Sequence, residues 1–191
     1  MTAEAPAIAA PTPLWRRLLN HRSFMFGLAL FGTVVLVALL ADLIAPHDPL
    51  KNNFRYRLGA PNEVHWLGTD RAGRDVLSRI IHGSQVSLRI GLMVVVVTAV
   101  FGAVIGGLAG YFRRLDNPVM RVMDAMMAFP GILLAIAIAA VLGPSEFNAV
   151  LALAITYTPR TARVARAAVL VVREMPYVEA ARAVGAGHMR I

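Results

Sequence analysis

Long apolar runs separated by short basic segments constrain the fold of this chain more than any other feature of its sequence. A helix that crosses the hydrocarbon core of a bilayer needs about 20 mostly apolar residues, and several runs reach that length. The composition agrees, because 58% of the 191 residues are hydrophobic and only 16% are charged, against about 25% charged in an ordinary soluble domain. The sequence therefore predicts an all-α, polytopic membrane protein.

We expect four transmembrane helices, of which two carry unusual residues. Pro130 lies inside the third run, where neighbouring helices can satisfy the freed carbonyl group, so a kink near Phe129 is expected. The fourth run continues through polar residues 156–160, which a bundle interior tolerates better than lipid does. The predicted spans are residues 24–44, 90–112, 122–143 and 148–168, the last with a cytoplasmic extension.

The segments between these spans are assigned from the distribution of basic residues, which favour the cytoplasmic side. Arg16, Arg17 and Arg22 precede the first span, and four crossings then return the arginine-rich end of the chain to the same side. Both termini are therefore expected in the cytoplasm. The predicted segments are a cytoplasmic tail 1–23, an outer loop 45–89, a cytoplasmic loop 113–121, an outer turn 144–147 and a cytoplasmic segment 169–191.

The predicted outer loop contains one helical apolar stripe, formed by residues 76, 77, 80 and 81. We expect an amphipathic helix near residues 70–82 with Thr69 or Asp70 as its N-cap. Asp75 stands four residues before Arg79 and is expected to pair with it. Two interpretations of the charged residues are open, a solvated helix face and a docking or gating surface, and composition favours the first. These charged residues are Asp70, Arg71, Arg74 and Asp75.

Small residues mark a packing face on the second predicted span. Gly102, Gly106 and Gly110 recur every four residues, so one side of the helix lacks side chains and another backbone can approach it closely. This pattern predicts helix packing and implies no substrate. At the start of the third span, Arg121 and Asp124 are three residues apart and are expected to form a local ion pair.

The end of the chain predicts a short helix that needs a partner. Met175 and Pro176 interrupt the arginine-rich extension of the fourth span, and a second helix then runs through Val184 to a stop at Gly185. A helix of about two turns is marginal in water. Its small apolar ridge therefore suits the groove of a partner protein. The ridge consists of Tyr177, Ala180, Ala181 and Val184.

Several classes of function find no support in the sequence. The chain has no Cys and no Gly-x-x-x-x-Gly-Lys-Ser/Thr loop for ATP. Its arginines lie between apolar runs and form no single basic face for nucleic acid. We therefore predict no catalytic residue, no metal ligand and no nucleic-acid partner. The five histidines are scattered without ligand spacing, at positions His21, His47, His65, His82 and His188.

Four blocks of the sequence together resemble a known family. Residues 179–185 resemble the Glu-Ala-Ala (EAA) motif of ABC importer permeases, and residues 67–79 are similar to a block of the dipeptide/oligopeptide/nickel permease family, C-type inner-membrane subunit. Residues 120–124 with the following Pro130, and residues 142–144, match the same family in the same order. The family block of the outer loop includes Gly68, Thr69, Asp70, Gly73, Arg74 and Asp75.

The resemblance implies a type I-like permease of a bacterial ABC importer, located in the inner membrane, that imports peptides or related small solutes. It implies a second homologous permease, two cytoplasmic ATPase subunits and an extracytoplasmic solute-binding protein as partners. ATP and Mg²⁺ would bind in the ATPase subunits, with no cofactor bound by this chain. The solute stays open among dipeptide, oligopeptide, glutathione, nickel and other solutes. The ATPase-coupling residues implied are Tyr177, Glu179, Ala180, Ala181 and Gly185.

In this family the EAA segment continues and two further spans follow it, so we expect four of six transmembrane helices here. The matched part corresponds to about the first two thirds of a typical member. We therefore expect that the 191-residue chain inserts in the membrane but does not transport on its own. The alternative hypotheses are a truncated, non-transporting fragment and a small helical membrane scaffold or channel.

Overall fold

A computed structural model describes residues 18–187 and 190. Most of the predicted N-terminal tail, including Arg16 and Arg17, lies outside these residues, as does His188. The described part is helical, with one isolated bridge between Thr69 and Asp75. Its α-helices are α1 (Arg22–Leu39), α2 (Ala41–Ile44), α3 (Val76–Tyr111), α4 (Arg113–Met127), α5 (Gly131–Leu142), α6 (Glu146–Arg173) and α7 (Pro176–Ala183).

The chain divides into two compact units, Met1–Leu88 and Arg89–Ile191. The first unit contains α1, α2, a short 3₁₀ turn at Phe54–Tyr56 and the beginning of α3. The second contains the rest of α3 and the four helices after it. Two helices, α1 and α3, are each long and apolar enough to cross a membrane.

Helix α3 combines two elements that were predicted as separate helices. It runs for 36 residues without a break, so the predicted amphipathic helix near residues 70–82 and the predicted span 90–112 lie on one helix. The expected boundary rested on the polar residues between them. Those residues include no proline, and Gly83 alone does not end a helix. Helix α3 therefore begins at Val76, later than expected, and continues through its polar stretch.

The predicted third span is broken at the expected place but far more sharply than a kink. Helices α4 and α5 meet at an angle of 90° across residues 128–130. Pro130 has no N–H group to donate and takes an extended backbone at the N-cap of α5, with ψ at 118°. The pair forms either one broken span or a re-entrant loop. With it, up to three spans satisfy the length and hydropathy criteria, and the fourth crossing stays a prediction.

Helix α6 packs against both α4 and α5 and buries two of its polar residues, Thr156 and Thr158. Ser145 caps its N-terminus by accepting a hydrogen bond from the Asn148 N–H at 3.2 Å. Thr156 and Thr158 are buried and donate their hydroxyl groups to the carbonyls of Ala152 at 2.8 Å and Ala154 at 2.6 Å. The hydroxyl groups are thus satisfied within the helix.

Candidate functional site

The loop of residues 45–75 is organised around the carboxylate of Asp70. It accepts hydrogen bonds from the backbone N–H groups of Ala72 at 2.8 Å and Arg74 at 3.0 Å, and from the Arg74 guanidinium at 2.9 Å. Arg79 also pairs with Asp70, so the expected Asp75–Arg79 pair is wrong. The Arg74 N–H contributes most to holding the pKa of Asp70 far below its usual value, and partial desolvation opposes it.

Two glycines allow this loop to fold back on itself. Gly68 has φ of 72°, and a Cβ there would lie 2.4 Å from the Gly59 carbonyl oxygen. Gly73 has φ of 74°, and a Cβ there would lie 1.7 Å from the Asn53 carbonyl oxygen. Both positions therefore require glycine. Between them, the Thr69 hydroxyl accepts from the Gly59 N–H at 2.8 Å.

These contacts correct the interpretation of Asp70, Arg71, Arg74 and Asp75 as a solvated helix face. Gly68, Thr69, Asp70, Gly73 and Arg74 belong to a folded loop, and none of them lies in a helix. Helical periodicity had predicted a helix for the charged residues among them. Glycine geometry and backbone hydrogen bonds decide the local structure instead.

Asp75 is the N-cap of α3, where Thr69 or Asp70 was expected. Its Oδ2 accepts from the Ser78 N–H at 2.8 Å and from the Ser78 hydroxyl at 2.7 Å. Its Oδ1 lies 3.0 Å from His65 Nδ1, and its side chain is only 1% exposed. Burial raises the pKa of Asp75, but the hydrogen bonds from Ser78 and His65 outweigh burial and leave the pKa below its usual value.

Two of the histidines that look scattered in the sequence meet at this cap. His47 Nδ1 lies 4.0 Å from Asp75 Oδ1, and the rings of His47 and His65 have centroids 4.8 Å apart. One donor atom from each of the three residues lies within 4.8 Å of the others. Two of the five histidines that were expected to be scattered therefore lie close together. Their positions in the sequence did not indicate this contact, because only the folding of the loop brings the two histidines together.

The glycines of α3 face α6 in the second unit. A Cβ at Gly102 would lie 2.5 Å from Thr161 Cβ, and one at Gly106 would lie 2.1 Å from the Ala162 carbonyl oxygen. At Gly110 the nearest atom would be Val169 Cβ, at 2.9 Å. Helix α6 thus occupies the space that the missing side chains leave.

Arginines of α6 pair with acidic residues of α4. Arg166 forms two hydrogen bonds with Asp116, and Arg163 pairs with Asp124 at 2.5 Å. The expected partner of Asp124 was Arg121, so that prediction is wrong. Arg163 lies 39 residues from Asp124 in the sequence and on a different helix, so the spacing of neighbouring residues could not predict this pair.

Helix α7 has defined ends and one anchored side chain. Met175 is its N-cap, Pro176 is the first helical residue, and Glu179 stands in its first turn. Val178 is buried at 1% exposure, whereas Tyr177 is 61% exposed. Val178 was not among the residues singled out from the sequence, because a lone valine between a tyrosine and a glutamate gives no packing signal.

The C-terminus of α7 is closed by backbone hydrogen bonds. Gly185 has φ of 82°; its N–H donates to the Arg182 carbonyl at 3.0 Å, and the Ala186 N–H donates to the Ala181 carbonyl at 2.9 Å. This pattern is a Schellman motif, which requires a left-handed residue where Gly185 stands. The exposed residues of α7 include Tyr177, Glu179 and Ala180, while Ala181 is half-buried; Val184, the residue after the helix, is also exposed.

Two protein families match the chain. Residues 99–191 match the family described as binding-protein-dependent transport system inner membrane component. Residues 13–61 match the N-terminal TM domain of oligopeptide transport permease C. The first match includes the glycine face and α7, and the second ends within the loop of residues 45–75.

Several curated proteins are similar over most of the chain. A Brucella abortus protein named as a peptide transport system permease is 51% identical over 92% of this chain and 60% of its own length. The di/tripeptide transport system permease protein DppC of Pseudomonas aeruginosa is 40% identical over 99% of this chain and 66% of its own length. The dipeptide transport system permease protein DppC of Haemophilus influenzae is 36% identical over 99% of this chain and 68% of its own length.

The chain thus spans about 60% of the length of the first of these relatives. Its apolar helices suit an inner-membrane protein. Both family matches and all three relatives name transport components. The chain belongs to the family of binding-protein-dependent transport system inner membrane components.

Proposed function

We propose that this chain is part of the membrane-spanning permease subunit of a bacterial ABC importer for peptides or related small solutes. The observation that carries the proposal is its 36–51% identity to proteins named as peptide or dipeptide transport permeases. A second homologous permease, two ATPase subunits and an extracytoplasmic binding protein would complete the importer. Both termini would lie in the cytoplasm, as the basic residues indicate.

We further propose that α7 is the surface on which an ATPase subunit acts. Tyr177, Glu179 and Ala180 are exposed, whereas Val178 is buried against the rest of its unit. An eight-residue helix is marginal by itself, so it depends on a second surface. The Schellman closure at Gly185 gives it a fixed end. A groove of the ATPase is the surface that this proposal supplies.

The packing of α6 supports a mechanical role for this helix. Helix α7 follows α6 after a break of two residues. The glycine face of α3 and the ion pairs from α4 hold α6 along its arginine-rich half. Closely packed interfaces are stiff and transmit strain, so helices packed in this way move together when a force acts on one of them. Movement of α7 by ATP-driven closure of the ATPases would therefore move α6 with it.

We assign the folded loop of residues 45–75 to the outer face, where the binding protein would dock. Its positive-φ glycines and the Asp70 hydrogen bonds make it a shaped surface. Arg71 is exposed, which leaves its charge available to a partner. A shaped and charged surface is what recognition of a protein partner requires.

The proposal is tested by reconstituting the importer with the partner permease, both ATPases and the binding protein, using the complete gene product that carries these residues. Glu179→Lys reverses a charge in the first turn of α7, where the helix dipole favours an acid. We expect membrane insertion to persist while co-purification of the ATPases and ATP-dependent peptide uptake fall together.

The matched control is Glu63→Lys, which makes the same charge change at an exposed residue of the loop of residues 45–75. It should leave ATPase binding intact. Unchanged co-purification and uptake in Glu179→Lys would reject α7 as the ATPase-facing surface. A wild-type protein that conducts solute without any ATPase would favour the channel hypothesis.

A further inference from the structure

Two histidines and an aspartate that the proposed function leaves unassigned meet at one point of the first unit. His47 follows α2, His65 lies in the loop before α3, and Asp75 caps α3. Their donor atoms lie within 4.8 Å of one another. Three segments separated in sequence thus bring together two imidazole nitrogens and a carboxylate oxygen.

One of these donor atoms is buried and unsatisfied. His47 Nδ1 has no hydrogen-bond partner among the described residues, and its 4.0 Å separation from Asp75 Oδ1 is too long for a hydrogen bond. Leaving a buried polar nitrogen without a hydrogen-bond partner is energetically unfavourable, so we expect another group to bind this nitrogen. A cation seated between the imidazole and the carboxylate would supply it.

The groups behind the cluster hold its members in place. Ser78 is fully buried; its hydroxyl donates to Asp75 Oδ2 at 2.7 Å and accepts from the His47 N–H at 3.0 Å. The Ser78 N–H occupies the same Oδ2 at 2.8 Å. Asp75 Oδ1 is thereby left facing the two imidazoles. Such hydrogen bonds to the groups behind a metal site orient its ligands and raise affinity.

We propose that His47 Nδ1, His65 Nδ1 and Asp75 Oδ1 bind a divalent transition-metal ion. Two imidazoles and one carboxylate suit Zn²⁺ and its neighbours in the series, such as Ni²⁺ and Cu²⁺, whereas Mg²⁺ and Ca²⁺ prefer oxygen ligands alone. The ion replaces the hydrogen bond between His65 and Asp75, whose 3.0 Å separation is also compatible with two atoms sharing one metal.

A metal at this position would fasten the loop of residues 45–75 at both ends. His47 stands just after α2 and Asp75 just before the first residue of α3. The ion would therefore link the end of the first helical segment to the start of α3, across the folded loop. Because loop closure removes freedom from the unfolded chain, such a link stabilises the loop.

The test is a titration of the full chain, freed of any affinity tag and held in lipid nanodiscs, with Zn²⁺ in competition with a chromophoric chelator. We expect one site per chain. His47→Gln is the decisive variant, since His47 Nδ1 makes no hydrogen bond in the described structure and its loss removes a proposed ligand without breaking a hydrogen bond at that atom. Zn²⁺ affinity should fall at least about tenfold.

His82→Gln is the matched control, because the His82 ring contacts Asp42 and the Ser78 carbonyl and contributes no atom to the cluster. It should bind Zn²⁺ as the wild type does. If His47→Gln binds Zn²⁺ with wild-type affinity, the proposed site is wrong, and His65 is then only a hydrogen-bond donor to the cap of α3.

X-ray absorption at the zinc edge gives an independent measurement. We expect two imidazole ligands in the wild-type protein and one in His47→Gln. A spectrum without imidazole, or one unchanged by loss of His47, would overturn the proposal. Transport activity enters neither measurement, so a failed metal site leaves the proposed permease function untouched, and the reverse holds as well.

Discussion

Arg166 on α6 holds Asp116 on α4 in a two-pronged ion pair, although 50 residues separate them in sequence. Its Nη2 lies 2.6 Å from one carboxylate oxygen, and its Nε bonds the other. A guanidinium matches a carboxylate in this way because both groups are planar. The pair therefore fixes the distance and the rotation of α6 on α4 together.

Replacing Arg166 with Lys keeps the charge but loses the planar fork. We expect stability to fall by about 1 kcal/mol, since both side chains are partly exposed and their attraction is screened. Thermal unfolding in detergent measures it. Arg163→Lys is the control, because its partner contact is a single exposed one and the change should have a smaller effect.

The same pair predicts a dependence on pH. Hydrogen bonds from Arg166 lower the pKa of Asp116, against partial burial that would raise it. A carboxyl group whose folded pKa is lowered stabilises the fold fully above its unfolded pKa of about 3.9. That contribution is lost as pH falls from there through the folded pKa. The stability difference between wild type and Asp116→Asn should be constant from about pH 5 to 7 and shrink below about pH 4.

The glycine face of α3 predicts opposite effects for two adjacent substitutions. A Cβ at Gly106 would lie 2.1 Å from the Ala162 carbonyl oxygen, whereas Gly107 has nothing within 4 Å. Gly106→Ala should force α3 and α6 apart and destabilise by about 1–3 kcal/mol. Gly107→Ala should stabilise by about 0.5–1 kcal/mol, because alanine favours the helix. Equal effects in a thermal-unfolding assay would mean that α6 does not rest on this face.

The sequence predicts those features of this architecture that depend on residues close together in the chain, and it does not predict contacts between residues far apart. Pro130 acts on its own backbone, so the interruption of the third apolar run near Phe129 could be anticipated, although not its 90° angle. The glycines at every fourth position marked a face before its partner was known. The cluster of His47, His65 and Asp75 could not be predicted, because the folding of a loop brings these residues together and their spacing in the sequence follows no helical or strand period.

Gly185 and Gly187 offer a second matched pair. Gly185 has φ of 82° but open space around it, so only its backbone conformation resists a side chain. Gly185→Ala should weaken the end of α7 by about 1–2 kcal/mol. Gly187 also has open space and has no positive φ, so Gly187→Ala should be neutral. Hydrogen exchange at the Ala186 N–H, which closes the Schellman motif, should report the difference.

The proposed topology can be checked with single cysteines, because the chain has none of its own. Asn53, Asn117 and Gly187 are all exposed within their units. A membrane-impermeant thiol reagent should label Asn53→Cys in intact spheroplasts. Asn117→Cys and Gly187→Cys should react only after the membrane is opened. Labelling of Gly187→Cys from outside would place the end of the chain on the wrong side for an ATPase.

The polar stretch of α6 needs fewer hydrogen-bond partners from its surroundings than its sequence suggests, because its threonines bond to their own helix. Thr156 and Thr158 donate their hydroxyl protons to carbonyls one turn earlier in the helix, so neither hydroxyl needs another acceptor from its surroundings. Arg160, exposed two residues later, is different: its guanidinium needs water or lipid phosphate and can reach them only by extending along its stem. Arg160 therefore constrains the depth of α6 in a bilayer more strongly than the two threonines before it do.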